Sequence, residues 1–187
     1  YLISAASIVH EAVESEGGSI ERSLGDGFFA LFGQRDANDH NHSVRAFRAA
    51  EKIQKTMLER SADKHEFGEV PLQFRIGAHC GEVEIGNLGD EQKFDFSAIG
   101  YEMSVAGRLE RSCIPFKIML SQQLWRELPT DSYDKKAMNS AYINSSDAGP
   151  LSLAYEYDPN RGAAEKLALC KKIAMEYYEH HTHSAFR

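Results

Sequence analysis

The sequence predicts an α/β fold, more narrowly an α+β sandwich in which helices pack on a mainly antiparallel sheet. Three observations carry that expectation. Apolar residues recur at helical spacing in several segments. Short runs of strand formers lie between those segments. The stretch E-R-S-L-G-D-G-F-F-A-L-F-G, Glu21 to Gly33, reads as two short apolar strands joined at Gly25-Asp26-Gly27, a hairpin signal of the Asp-Gly kind. Helices interleaved with strands give a layered sandwich with one layer of helices. A chain of 187 residues, 42% of them hydrophobic, suffices for one compact domain with a modest appendage.

Taken in order, Leu2 to Glu16 places Ile3, Ala6, Val9, Ala12 and Val13 at helical spacing, and Gly17-Gly18 ends that helix. The hairpin follows, and Gln34 to His42 is polar and reads as a loop. Val44 to Leu58 repeats the helical pattern through Phe47, Ala50, Ile53 and Met57; the charged stretch from Ser61 to Val70 reads as a loop. Leu72–Cys80 and Glu82–Ile85 are strand-forming runs that meet at Gly81 in a turn or bulge. Gly86 to Asp90 is a loop, Phe94 to Ile99 a short strand and Tyr101 to Ser112 a helix. Lys117 to Leu120 is a strand, and Ser121 caps a helix that runs to Leu128. Asp131 to Pro150 shows no clear pattern. Leu151 to Asp158 alternates as a strand does, and Ala163 to His180 is a long amphipathic helix with Leu167, Cys170, Ile173, Ala174 and Tyr177 on one side.

Bulk properties exclude several function classes. A net charge of -7 is the wrong sign for a protein that grips a phosphate backbone, so no nucleic-acid partner is expected. Cys80, Cys113 and Cys170 form neither an even framework nor a C-x-x-C pair, which points to core-filling thiols in a reducing, cytoplasmic setting. No run reaches the length of a membrane span and no signal peptide opens the chain, so no membrane partner is expected. The chain starts at Tyr1 rather than at a methionine, as a fragment or trimmed chain would.

Four blocks stand out together: G-G-S-I-E-R-S-L-G-D-G-F-F-A-L-F-G (Gly17–Gly33), N-H-S-V-R-A-F-R-A-A (Asn41–Ala50), F-R-I-G-A-H-C-G-E-V-E-I-G-N-L-G (Phe74–Gly89) and F-D-F-S-A-I-G-Y-E-M-S-V-A-G-R-L-E (Phe94–Glu110). In this order and spacing the set resembles the class III nucleotidyl cyclase catalytic domain over Leu2 to Glu127, with a weaker match at the Leu151–Asp158 strand. The resemblance implies a ferredoxin-like core over residues 1–158, with 159–187 a C-terminal helix and tail outside it. It also implies a head-to-tail homodimer with active sites at the interface. There, two aspartates of one subunit hold two Mg²⁺ or Mn²⁺ ions, while an asparagine and an arginine come from the other. The 3′-hydroxyl of a nucleoside triphosphate attacks its own α-phosphate and pyrophosphate leaves.

Carried onto this chain, the resemblance makes Asp26 the second metal aspartate, flanked by glycines that keep side chains out of the ion's way. On its own Asp26 would read as a plain turn former. Arg108 matches the transition-state arginine; the alternative is a surface helix arginine paired with Glu102 or Glu110. The usual asparagine four residues earlier is Ser104, a shorter donor. The strand that carries the first metal aspartate is expected before Tyr1. Lys135 and Lys136 are the candidates for the triphosphate-binding lysine. His79 is expected to be a packed structural histidine, and the His180-His181-Thr182-His183 tail a frayed terminus rather than a metal site.

The base-reading positions are Arg22 and Ser97. Adenylyl cyclases resemble one another in a lysine at the first of these, guanylyl cyclases in a glutamate. An arginine is a rigid fork of several donors, suited to an acceptor-rich edge such as O2 and N3 of cytosine or O2 and O4 of uracil. R-S-L-G-D-G is similar to the pattern of the pyrimidine cyclases of bacterial antiphage (Pycsar) defence. The expectation is therefore a CTP or UTP cyclase whose cyclic CMP or cyclic UMP switches on a separate effector. An adenylate cyclase with Arg22 in place of lysine, and a non-catalytic nucleotide-binding or interaction module, are the alternatives.

Overall fold

The computed structural model describes residues 2–34, 40–65, 72–87, 96–130, 133, 135–144 and 151–182. Helix α1, Leu2–Ser15, buries Ala5, Ile8, Val9, Ala12 and Val13. It ends in a Schellman turn: Gly17 N–H donates to Glu14 O and Gly18 N–H to Val13 O, both at 2.9 Å, with Gly17 at φ 73°. The hairpin of β1 (Ser19–Leu24) and β2 (Gly27–Leu31) follows. Helix α2, His42–His65, is longer than the Val44–Leu58 expected from its apolar stripe. The stripe does continue, but through a serine. Ser61 is buried, donates to Leu72 O at 3.1 Å and accepts from Leu72 N–H at 3.0 Å, so a polar residue holds a core position that hydropathy does not reveal.

The remaining elements are β3 (Ile76–Ala78), β4 (Glu84–Asn87), β5 (Phe96–Ile99), α3 (Tyr101–Ser112), β6 (Ile118–Ser121), α4 (Gln122–Glu127), β7 (Asn139–Asn144), β8 (Leu151–Tyr157) and α5 (Ala164–Thr182), with 3₁₀ turns at Lys135–Ala137 and Arg161–Ala163. Ser121 caps α4 as expected, its Oγ accepting from Leu124 N–H at 3.2 Å. The expected Leu72–Cys80 strand shrinks to three ladder residues. Phe74 O before them is bonded to Phe116 N–H and to the buried Gln54 side chain instead of to a strand. The segment without a sequence pattern, Asp131 to Pro150, contains β7.

Strands β3, β6, β8 and β7 form one sheet in that order, with β3 parallel to β6 and the other pairings antiparallel. The hairpins β1–β2 and β4–β5 are ladders of their own. All four residues of β6 are buried. Ile118 and Leu120 face Phe47 and Ala50 of α2 and Leu124 of α4, whereas Met119 faces Val105 and Leu109 of α3. The sheet is thus covered on both faces, where one helical layer was expected; the class of fold is the expected mixed α/β one. Phe28 and Ala30 of β2 and Ile76 of β3 pack on the same cluster of α1 and α2 residues without pairing to each other. Helix α5 packs on α2 through Cys170, Leu58 and Phe116.

Candidate functional site

The site is built on the β1–β2 hairpin. Leu24 pairs with Gly27, so the two loop residues are Gly25 and Asp26. Gly25 has φ 66°, and Asp26 keeps an ordinary negative φ. This is the primed turn with glycine first, rather than the Asp-Gly turn expected from the sequence. A side chain at Gly25 would meet nothing within 4 Å, and Asp26 is exposed. The carboxylate therefore stands at the tip of a rigid ladder with open space beside it. That suits a hard divalent cation, which takes oxygen ligands. Among the described residues, no three His, Cys, Asp or Glu side chains are grouped to hold a metal, so Asp26 does not belong to a complete cage there.

A β-bulge shapes the rest of the hairpin. Ile20 opposes Ala30 and Arg22 opposes Phe29, which leaves Glu21 as the extra residue. Side chains normally alternate faces along a strand; the bulge lets Glu21 and Arg22 turn to the same place. Both reach one residue of β5. Ala98 N–H donates to Glu21 Oε1 at 2.7 Å, and Arg22 Nη2 donates to Ala98 O at 3.1 Å. Arg22 also donates to its neighbour, Nη2 to Glu21 Oε1 at 3.1 Å and Nε to Glu21 Oε2 at 3.4 Å. The Glu21 side chain is 7% exposed and that of Arg22 39%. Arg22 is thereby brought to Ala98, the residue next to Ser97. Ser97 pairs with Gly86 through the backbone; its side chain lies outside the described set. Glu21 went unnoticed in the sequence. The signal was two successive charged residues inside a strand pattern, which plain alternation does not allow.

Helix α3 carries the other two expected residues, Ser104 and Arg108, four apart and so on one face. The R-I-G-x-H strip seats this helix. Arg75 pairs with Glu110 at 2.8 Å, and His79 Nε2 is bonded to Glu102. Between these two pairs Gly77 lies under the helix backbone: a Cβ there would come within 2.2 Å of Glu110 N and 2.4 Å of Ala106 O. Glu102, Ala106 and Glu110 share one face of α3. Ser104 and Arg108, two residues further on each time, lie ~200° around the axis, away from the strand. Ser104 is exposed and Arg108 half-buried. The hairpin packs under α1, whereas α3 rests on β3, β6 and β7, so the two groups ride on different parts of the domain.

His79 is structural as expected, its side chain only 3% exposed. Cys113 and Cys170 are buried in the core; Cys80 is half-buried and donates to Glu127 Oε1 at 3.2 Å. Burial pushes the Cys80 thiol up to about 12, with the Glu127 hydrogen bond adding to it, and the Cys113 thiol up to about 11. Lys135 sits 4.6 Å over the Trp125 ring, which itself stacks on Tyr155, and its Nζ donates to Arg126 O at 3.4 Å; burial lowers its pKa. Lys136 is exposed. The side chains of the His180–His183 tail lie outside the described residues. A cavity of about 660 Å³ lies between α2 and the start of α5, and none of Arg22, Asp26, Ser97, Ser104 or Arg108 lines it.

Residues 8–153 match the family described as the adenylate and guanylate cyclase catalytic domain. The chain is 30% identical over 100 residues to an adenylate cyclase of Anabaena cylindrica, covering 54% of this chain and 20% of that one. It spans a fifth or less of the curated relatives it matches. Among solved structures it resembles the guanylyl cyclase Cya2, with TM-score 0.70, 19% identity and 83% and 79% of the two chains covered. It likewise resembles the adenylyl cyclase CyaB of P. aeruginosa, with TM-score 0.70, 20% identity and 86% and 82% covered.

Proposed function

Because this chain belongs to the adenylate and guanylate cyclase catalytic domain family, we propose that it converts a pyrimidine nucleoside triphosphate, CTP or UTP, to the 3′,5′-cyclic nucleotide and pyrophosphate. The observation that carries the base assignment is the guanidinium of Arg22 held against β5 beside Ser97. Its Nη1 edge makes no hydrogen bond among the described residues, which leaves two N–H donors for the acceptors of a small base. Asp26 would hold a divalent ion, Mn²⁺ or Mg²⁺. A bound pair of such ions would make the 3′-hydroxyl a nucleophile and neutralise charge on the phosphates. Arg108, with Ser104 as the second donor, would stabilise the charge that develops as the 3′-oxygen bonds to the α-phosphorus and the bond to the pyrophosphate oxygen breaks.

A homodimer fits this reading, with Arg108 and Ser104 of one copy facing the hairpin of the other. Ile85, Ile99 and Tyr101, on β4, β5 and the start of α3, are exposed apolar side chains, a patch that a second copy would cover. Among the described residues β2 and β3 pack on one shared cluster without pairing to each other, a place where a further strand carrying the first metal carboxylate would fit. A cytoplasmic role in antiphage signalling through a cyclic-nucleotide effector rests on the R-S-L-G-D-G pattern; no described helix is long and apolar enough to cross a membrane.

ATP as substrate is the second reading. The curated relatives are named adenylate cyclases, and an arginine can donate to adenine N1. The test is to incubate the full-length protein with ATP, GTP, CTP and UTP together plus Mn²⁺ and identify cyclic products by mass spectrometry. Cyclic CMP or cyclic UMP supports the proposal, and cyclic AMP replaces it with the second reading. No product from any of the four turns the assignment to a non-catalytic module. Arg22→Lys should shift the product ratio, and an unchanged ratio removes Arg22 from base reading.

A further inference from the structure

We infer that Glu21 is the positioning residue of the base site: it orients Arg22 and so sets which base is accepted. The inference rests on the reading of Arg22 as the base-contacting side chain and adds a second determinant to it. The bulge turns both side chains toward Ala98, where they divide one residue's backbone between them. Glu21 accepts the Ala98 N–H and Arg22 donates to the Ala98 carbonyl. Glu21 also accepts from Nε and Nη2 of Arg22. Three of the five guanidinium N–H groups, one on Nε and two on Nη2, are thus engaged with these acceptors. Held at several points, the planar fork keeps a single orientation, and only its Nη1 edge is left for a ligand.

Two consequences follow from the chemistry. Without Glu21 the guanidinium would keep only the Ala98 carbonyl and would sample several rotamers, so its donors could follow the acceptors of different bases. Glu21 also neutralises Arg22 locally. The site then selects by hydrogen-bond direction rather than by attracting any polyphosphate. An arginine alone would be a permissive cation; an arginine clamped by a buried carboxylate is a fixed pair of donors.

The experiment measures kcat/KM for ATP, GTP, CTP and UTP in the full-length protein and in Glu21→Ala, Glu21→Gln, Arg22→Ala and the Glu21→Ala/Arg22→Ala double variant. The readout is the ratio between the preferred and the next-best triphosphate. That ratio is internal to each variant, so a loss of folded enzyme cancels. Glu21→Ala is expected to lower the ratio about tenfold, mainly through KM, because base contacts are the same in ground and transition states. Glu21→Gln, which keeps an acceptor for Ala98 N–H, should fall between, and the double variant should match Arg22→Ala alone. A ratio shifted by Arg22→Ala but not by either Glu21 variant overturns this inference and leaves the Arg22 reading standing. A ratio that neither substitution moves removes both. If no variant turns over, the same ratios come from Kd values measured by calorimetry with α,β-methylene triphosphates and Mg²⁺, with the same outcomes.

Discussion

Gly77→Ala should unseat the helix that carries Ser104 and Arg108. A methyl group at this position would stand 2.2 Å from Glu110 N, 2.4 Å from Ala106 O and 2.9 Å from Glu110 Cα, all backbone atoms of α3. Carbon contacts are comfortable only beyond ~3.5 Å, so strand and helix must separate by about 1 Å. No side-chain rotation can relieve the clash, and the flanking pairs Arg75–Glu110 and His79–Glu102 are stretched by the same movement. Overpacking of this kind costs ~1–3 kcal/mol, and in a chain of this size each kcal/mol lowers Tm by ~2–4 °C. Thermal unfolding of the alanine variant should therefore begin several degrees earlier. If Arg108 acts on the substrate, a shift of ~1 Å should also cost up to ~10²-fold in kcat. Circular dichroism melts and turnover with the preferred triphosphate read the two effects separately. A variant with the parent's midpoint and full kcat would refute the seating of α3 on β3.

Asp26→Asn should leave stability within ~0.5 kcal/mol, since the side chain is exposed, and should abolish turnover; full residual activity would end its role as a metal ligand. Ser121→Ala strips the acceptor from Leu124 N–H and should cost ~1 kcal/mol in urea denaturation; an unmoved midpoint would contradict the cap. The thiols of Cys80 and Cys113 ionise near 9.0 when free and at about 12 and about 11 in the fold. The stability they contribute is present below pH 9 and is lost as pH rises from there through 11 and 12. Denaturation at pH 7, 9 and 10.5 should show that decline, and Cys80→Ser with Cys113→Ala should flatten it; an equal decline in the double variant would assign the loss to other groups.

Helix α3 was legible to the residue because its apolar spacing is regular and Gly100 and Cys113 bound it. The hairpin was legible too, and with it the placing of Asp26 and Arg22 on one element, although its turn uses Gly25-Asp26 rather than Asp26-Gly27. Strand β7 was not. Its sequence N-S-A-Y-I-N is polar at both ends and buries only Ile143, and it becomes a strand by pairing with β8. The second half of α2 was hidden behind Ser61, whose place in the core comes from its hydrogen bonds to Leu72. Glu21 was missed for a related reason. A bulge is a property of the register between two strands, and one strand's sequence shows it only as a break in alternation. R-I-G-x-H was recognised as a block before its purpose was apparent: its arginine, glycine and histidine all fasten α3.

Phe116 has a consequence for which substitutions this chain can tolerate. It is fully buried against Leu58 and Cys170 yet holds φ 66°, a conformation that favours glycine. Its amide donates to Phe74 O at 2.7 Å and its carbonyl accepts from the Asn160 side chain at 3.4 Å, so the backbone is pinned there. Glycine would relieve ~1–3 kcal/mol of backbone strain, but emptying the space of a buried phenyl ring costs ~3–5 kcal/mol. Volume outweighs torsion. A survey of tolerated residues at this position should therefore favour large unbranched or aromatic side chains and reject glycine, the reverse of what the backbone angle alone would suggest.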